Sequence, residues 1–227
     1  MLPKRQMNRP ESSQIDYKFE LYRKLIHICS LSIPIIYYFI PKSTGLIILS
    51  LVLLASLLVD IGRFLSPGFA KIIYTIFPVF REHELDPGKK QLSGSTWLLA
   101  AAVLTIAVFP KVIAIVSLVF LILGDTAAAL IGRKWGKTPF LKKSLEGTLA
   151  FVVMTVIIAF FTPKLTDSGI EIALIIISGI VAAIAENVSH GVLDDNVAIP
   201  LSSGVVLWTG YIILFPNLEL VLKNVPV

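Results

Sequence analysis

Apolar residues fill long stretches of the chain, and polar interruptions return at intervals that suit helices. Seven apolar segments, each bounded by charges, Pro or Gly, cover roughly residues 25–40, 44–61, 94–109, 112–131, 147–162, 170–187 and 199–215. Several fall short of the roughly 20 residues that a straight membrane span needs, so tilt or burial among neighbours is expected. The pattern predicts an all-α, polytopic membrane helix bundle with about seven transmembrane helices. A further stretch, FLSPGFAKIIYTIFPVF at 64–80, is apolar but broken by Pro67 and Pro78. It reads as one amphipathic helix lying in the interface with Lys71 at headgroup level; a re-entrant hairpin or an eighth span is the alternative.

Composition agrees with this pattern. Of the 227 residues 56% are hydrophobic, and the mean hydropathy of +0.84 lies outside the soluble range. A polar stretch precedes the first apolar run, so no cleavable signal peptide is expected. The single cysteine, Cys29, allows neither an internal disulfide nor a cysteine metal site.

The net charge of +5 matters less than where the cations stand, and no nucleic-acid partner is implied. All but four of the 20 cations precede the first segment or follow the second and fourth; the exceptions are Lys42, Lys111, Lys164 and Lys223. The positive-inside rule then predicts a cytoplasmic N-terminus. Expected domains are a cytoplasmic N-terminal segment at 1–22, one transmembrane catalytic domain at 23–217 and a short tail at 218–227.

Against this background a few polar residues stand out, because an ionisable group at membrane depth costs roughly 2.5–3.5 kcal/mol on insertion scales. Asp125 follows thirteen uncharged residues and precedes seven more. Glu186 ends an apolar helix, and Asp194 and Asp195 follow it across Gly191. Two or three carboxylates together with phosphate oxygens make a ligand set for Mg²⁺. Structural pairing of Asp125, or helix capping by Asp194 or Asp195, is the alternative. The loop GRKWGKTPFLKKSLEG carries five cations between Arg133 and Lys143, with Gly132, Gly136 and Gly147 allowing close backbone approach. A polyphosphate would suit it, especially at the N-terminus of the next helix. Taken alone, the loop is better explained by retention under the positive-inside rule with anionic lipid binding, and it becomes specific only beside the acids.

Glu146 among these cations is a cap, a lysine-orienting group or a metal contact. Arg23, Lys24 and His27 sit where the first helix enters the membrane, Arg23 and His27 on one side of it. Ser93, Ser95 and Thr96 offer an N-cap and hydroxyls for phosphate. No P-loop and no protein-kinase motif set is present.

The motifs GDTAAALIGRKWGK, KKSLEGTLAF and LDDNVAIPLSSG, with RKLIH and LSGSTW before them, resemble the CTP-dependent lipid kinase family that includes dolichol, phytol and diacylglycerol kinases. The resemblance runs from about Glu20 to about Gly210. It implies transfer of the terminal phosphate of CTP to a lipid alcohol, diacylglycerol or a polyprenol, at the cytoplasmic membrane face, with Mg²⁺. The acidic glycine motif falls on Gly124 and Asp125 with Thr126 beside them. The nucleotide loop falls on Arg133 to Gly147, with Lys142, Lys143, Ser144 and Glu146 inside it, and the terminal acidic motif on Asp194, Asp195 and Asn196. Asp125, with Asp194 or Asp195, is then expected to hold the metal, and Arg133, Lys142 or Lys143 the phosphates. Glu186, Asp195 and His27 remain alternatives for the base. The related phosphatidate cytidylyltransferases end in a different motif from SHGVLDDN, which favours the kinase. An ion-coupled transporter is the non-enzymatic alternative. The oligomeric state stays open.

Overall fold

Each predicted apolar segment forms helix in the computed structural model, which describes residues 17–77, 90–166, 168–189 and 194–227. The first is two helices, α1 (Tyr17–Cys29) and α2 (Ser32–Phe39), where one continuous segment at 25–40 was expected. The reason is Pro34: it has no N–H for the carbonyl of Ser30 and its ring would clash there, so that carbonyl accepts from Ile33 instead, at 2.9 Å.

Helix α3 (Lys42–Leu65) leads through Ser66 into α4 (Pro67–Ile76), with Pro67 in the first turn and the Ser66 hydroxyl accepting from Phe69 N. Of the stretch 64–80 expected as one amphipathic helix, 67–76 form α4, 64–65 end α3 instead, and 78–80 lie outside the described residues. Ser93 caps α5 (Gly94–Val108). Next come α6 (Lys111–Val119), a single π-helical turn (Phe120–Gly124) and α7 (Asp125–Trp135), together one rod of 25 residues. Two short strands, β1 (Pro139–Phe140) and β2 (Lys143–Ser144), pair antiparallel around Leu141, whose φ of 51° makes the turn. They were not predicted. Then follow α8 (Leu145–Phe161), α9 (Gly169–Val188) and α10 (Asp195–Leu214).

Four of these elements are long and apolar enough to cross a membrane: α3, the α6–α7 rod, α9 and α10. The α6–α7 rod is the axis of the bundle, with 83% of its apolar window buried, whereas only 17% of the α3 window is. Around the axis pack α5, α8, α9 and α10, and α3 leans on α5. Helices α8 and α9 meet where Gly179 faces Thr155: a Cβ on Gly179 would lie 2.2 Å from Thr155 Cγ2.

At one end of the bundle three of the four lone cations of the sequence close helix C-termini. Lys42 donates to the carbonyls of Ala107 and Phe109 at 3.0 and 3.2 Å, and Lys111 to Ile40 at 2.7 Å. Lys164 donates to Phe160 and Thr162, both at 3.0 Å. Each lysine thus satisfies carbonyls that a helix end leaves open. The candidate chemistry gathers at the other end.

Candidate active site

Asp125 stands at the first residue of α7, directly after the π turn, and is only 7% exposed. A bare carboxylate there would be very costly, and two residues of α1 answer it. The Lys24 ammonium forms an ion pair with Asp125 Oδ2, and His27 Nε2 lies 3.6 Å from the same oxygen. His27 Nε2 also lies 3.3 Å from the Leu121 carbonyl of the π turn. Facing two acceptor oxygens, Nε2 is the ring nitrogen placed to donate. π turns recur at functional sites because they disturb the regular ladder and redirect side chains and carbonyls.

The second half of the site comes from the facing ends of α9 and α10. Glu186, 2% exposed, lies in the last turn of α9, and Asp195 begins α10. Lys143 on β2 forms an ion pair with Glu186 and lies 3.4 Å from Asp195 Oδ2. Burial works against the Lys143 charge, but the Glu186 and Asp195 carboxylates outweigh it and hold its pKa above the usual lysine value. Asp125, Glu186 and Asp195 each offer an oxygen within 4.8 Å of the others. Three carboxylates thus face two ammonium groups.

Asp125 and Asp195 also line a cavity of about 590 Å³, with Arg23, Lys24, His27, Ser95 and Asn196 on its polar side. Glu186 and Lys143 are not part of its wall. The acids therefore stand between this cavity and the basic hairpin.

The remaining predicted residues take supporting places. Glu20 bridges Arg23 at 2.6 Å and Arg133 at 3.1 Å, which ties α1 to the end of α7. Burial raises the Glu20 pKa, yet the hydrogen bond and charge of Arg23, with Arg133, hold it below the usual range. Thr96 donates to Asp60 at 2.7 Å, and Ser95 shares a hydrogen bond with Ser93. Thr126 donates to the Ile122 carbonyl at 2.6 Å. Gly124 packs against the ring of Phe151, where a Cβ would lie 2.5 Å from Cζ. Ser144 caps α8 by accepting from Gly147 N, and a Cβ on Gly147 would lie 2.9 Å from the Ala128 carbonyl. Half-buried Glu146 accepts from Thr138 N at 3.0 Å and so closes the hairpin base. Asp194 is the N-cap of α10, accepting from Asn196 N and Nδ2 at 3.0 and 2.5 Å. The acid that joins Asp125 and Asp195 is thus Glu186, with Asp194 turned to capping.

Sequence reasoning passed over three residues here. Asn187 is fully buried: its Oδ1 accepts from the amides of Lys142 and Lys143 at 2.9 and 3.1 Å, and its Nδ2 donates to Thr148 at 2.8 Å. Asp60 and Arg63 form a buried pair, with Arg63 donating to Asp60 Oδ1 at 2.5 Å and Asp60 Oδ2 accepting from Ser93 N at 2.9 Å. An acid inside the apolar run at 44–61 was their visible signal.

Fold and site together define an all-helical bundle, four of whose elements are long and apolar enough to cross a membrane, with charged groups buried at one end. Comparison with known proteins narrows the class. No protein-family model and no solved structure matches the chain significantly. It is 31% identical over 184 residues to CTP-dependent diacylglycerol kinase 1 of Schizosaccharomyces pombe, covering 75% of this chain and 76% of that protein. An uncharacterized protein of Rickettsia prowazekii is 30% identical over 188 residues, covering 82% and 92%. A phytol kinase of Synechocystis is 31% identical over 94 residues, covering 38% and 40%. The chain belongs to the CTP-dependent lipid kinase family.

Proposed function

We propose that this protein transfers the terminal phosphate of CTP to the hydroxyl of a lipid alcohol, at the cytoplasmic face of a membrane that its helices cross about seven times. The observation that carries the reading is the trio Asp125, Glu186 and Asp195, with oxygens within 4.8 Å of one another, between an amphipathic cavity and a basic hairpin. The names of the relatives supply the donor and the acceptor class. The uneven spread of cations supports the orientation.

The donor set fits a hard divalent cation: two or three carboxylates of this kind, with substrate phosphates, are how Mg²⁺ is usually held. Asp125, Glu186 and Asp195 would hold Mg²⁺, which when bound neutralises charge on the phosphate oxygens. Lys24 and Lys143 balance the acids meanwhile, and Lys143 with Arg133 and Lys142 contacts the triphosphate. The alcohol oxygen attacks the terminal phosphorus as the bond from that phosphorus to the bridging oxygen breaks. CDP leaves, and the hydroxyl proton passes to His27 on the cavity wall.

The test is purified protein with Mg²⁺, CTP labelled in its terminal phosphate, and diacylglycerol, undecaprenol, dolichol, phytol or phosphatidate. CDP and a labelled lipid phosphate are expected; pyrophosphate with a CDP-lipid would overturn the reading. Asp125→Asn should abolish turnover with the fold retained in detergent.

A further inference from the structure

The 590 Å³ cavity is lined by polar and apolar side chains together. Its polar lining includes Arg23, Lys24 and His27 of α1, Ser56 and Asp60 of α3, Ser95 at the start of α5, and Asp125. Ile33 of α2, Val59 of α3 and Leu98 of α5 add apolar lining. The outer wall is apolar as well as open. Ile26 and Phe77 line the cavity while remaining 55% and 52% exposed, and α3 beside them is the least buried long helix. On a bundle that crosses a membrane, such a mouth faces hydrocarbon. A triphosphate would have to shed its hydration to enter there, whereas a hydrocarbon tail would not.

We propose that this cavity is the acceptor site, and that the lipid alcohol enters sideways past Ile26 and Phe77 with its hydroxyl toward Asp195 and His27. The proposal rests on the kinase reading and deepens it. CTP approaches from the opposite side of the acids, over the hairpin that carries Lys143. The volume lies within the ordinary 300–1,000 Å³ of a small-ligand pocket, enough for the alcohol end and the first part of one chain. The rest of the lipid stays outside the mouth. Carbon atoms near the hydroxyl therefore decide selectivity, and the far end of the tail does not.

Val59→Trp on α3 and Ile73→Trp on α4 would fill the cavity from two walls. In nanodiscs each is expected to raise KM for the lipid alcohol at least about tenfold, while KM for CTP stays within about twofold. A rise in KM for CTP alone, or unchanged kinetics in both variants, would overturn the assignment. A long-chain alcohol with a photoactivatable diazirine near its hydroxyl gives a readout free of turnover. It should label the cavity-lining parts of α1, α3, α4, α5 and α10 in the wild-type protein and lose that labelling in Val59→Trp. Such labelling without phosphoryl transfer from CTP would leave the cavity assignment standing and remove the kinase reading. Labelling confined to other helices would remove the cavity assignment.

Discussion

Asn187 accepts a hydrogen bond from the backbone N–H of Lys143 at 3.1 Å, and the residue preceding it, Glu186, pairs with the ammonium of the same lysine. Backbone and side chain of Lys143 are thereby fixed by two neighbours on one helix end. Asn187→Ala would leave two hairpin amides without their acceptor, a loss of about 1–3 kcal/mol for a buried group. The hairpin is then free to move Lys143 away from the acids. Expected is a rise in KM for CTP with KM for the lipid little changed. Steady-state kinetics with each substrate varied in turn checks this.

Asp60 and Arg63 hold α3 to the start of α5 without touching the acid trio. Removing one partner of a buried pair costs about 3–5 kcal/mol, because the other charge is left uncompensated. Asp60→Leu should therefore lower the melting temperature in detergent strongly. Asp60→Leu with Arg63→Met should recover part of the loss, and a double-mutant cycle measures the coupling.

Glu20 gives the pH dependence a sign. Its carboxylate is held below its ordinary value by Arg23 and Arg133 against the effect of burial. The stability it contributes is thus fully present above the unfolded value of about 4.3 and is lost as pH falls through the lower folded value. Thermal unfolding followed from pH 7 downward should show a shallower acid decline in Glu20→Gln than in the wild-type protein.

Gly124 tests packing where the sequence motif points to nucleotide. Its missing Cβ makes room for the Phe151 ring, so Gly124→Ala should destabilise by about 1–3 kcal/mol through overpacking. Phe151→Leu in the same chain should relieve part of that loss. If Gly124→Ala unfolds like the wild-type protein but fails to bind CTP, the glycine serves the ligand and not the helix contact.

The charged half of the site was legible because charge is conspicuous in an apolar sequence. Asp125 and Glu186 each break a long uncharged run, and Lys143 belongs to a dense basic loop. Asn187 was not legible, since a neutral amide near a helix end reads as a terminus, and its role depends on a hairpin formed some forty residues away. Arg63 was counted among interface cations, and only the fold turns it inward onto Asp60. The helices followed from hydropathy, and the α1–α2 break was written in Pro34. The π turn had no signal, because Phe120–Gly124 is as apolar as the helix around it.

Lys42, Lys111 and Lys164 have a consequence at the scale of the whole molecule. Their ammonium groups are absorbed by helix carbonyls, so the partial negative charge of those termini and the positive charge of the lysines cancel locally. At the opposite end the cations of the hairpin and of α1 meet acids and an open cavity. The bundle is thus electrically one-ended, and an approaching polyanion is drawn toward one rim only.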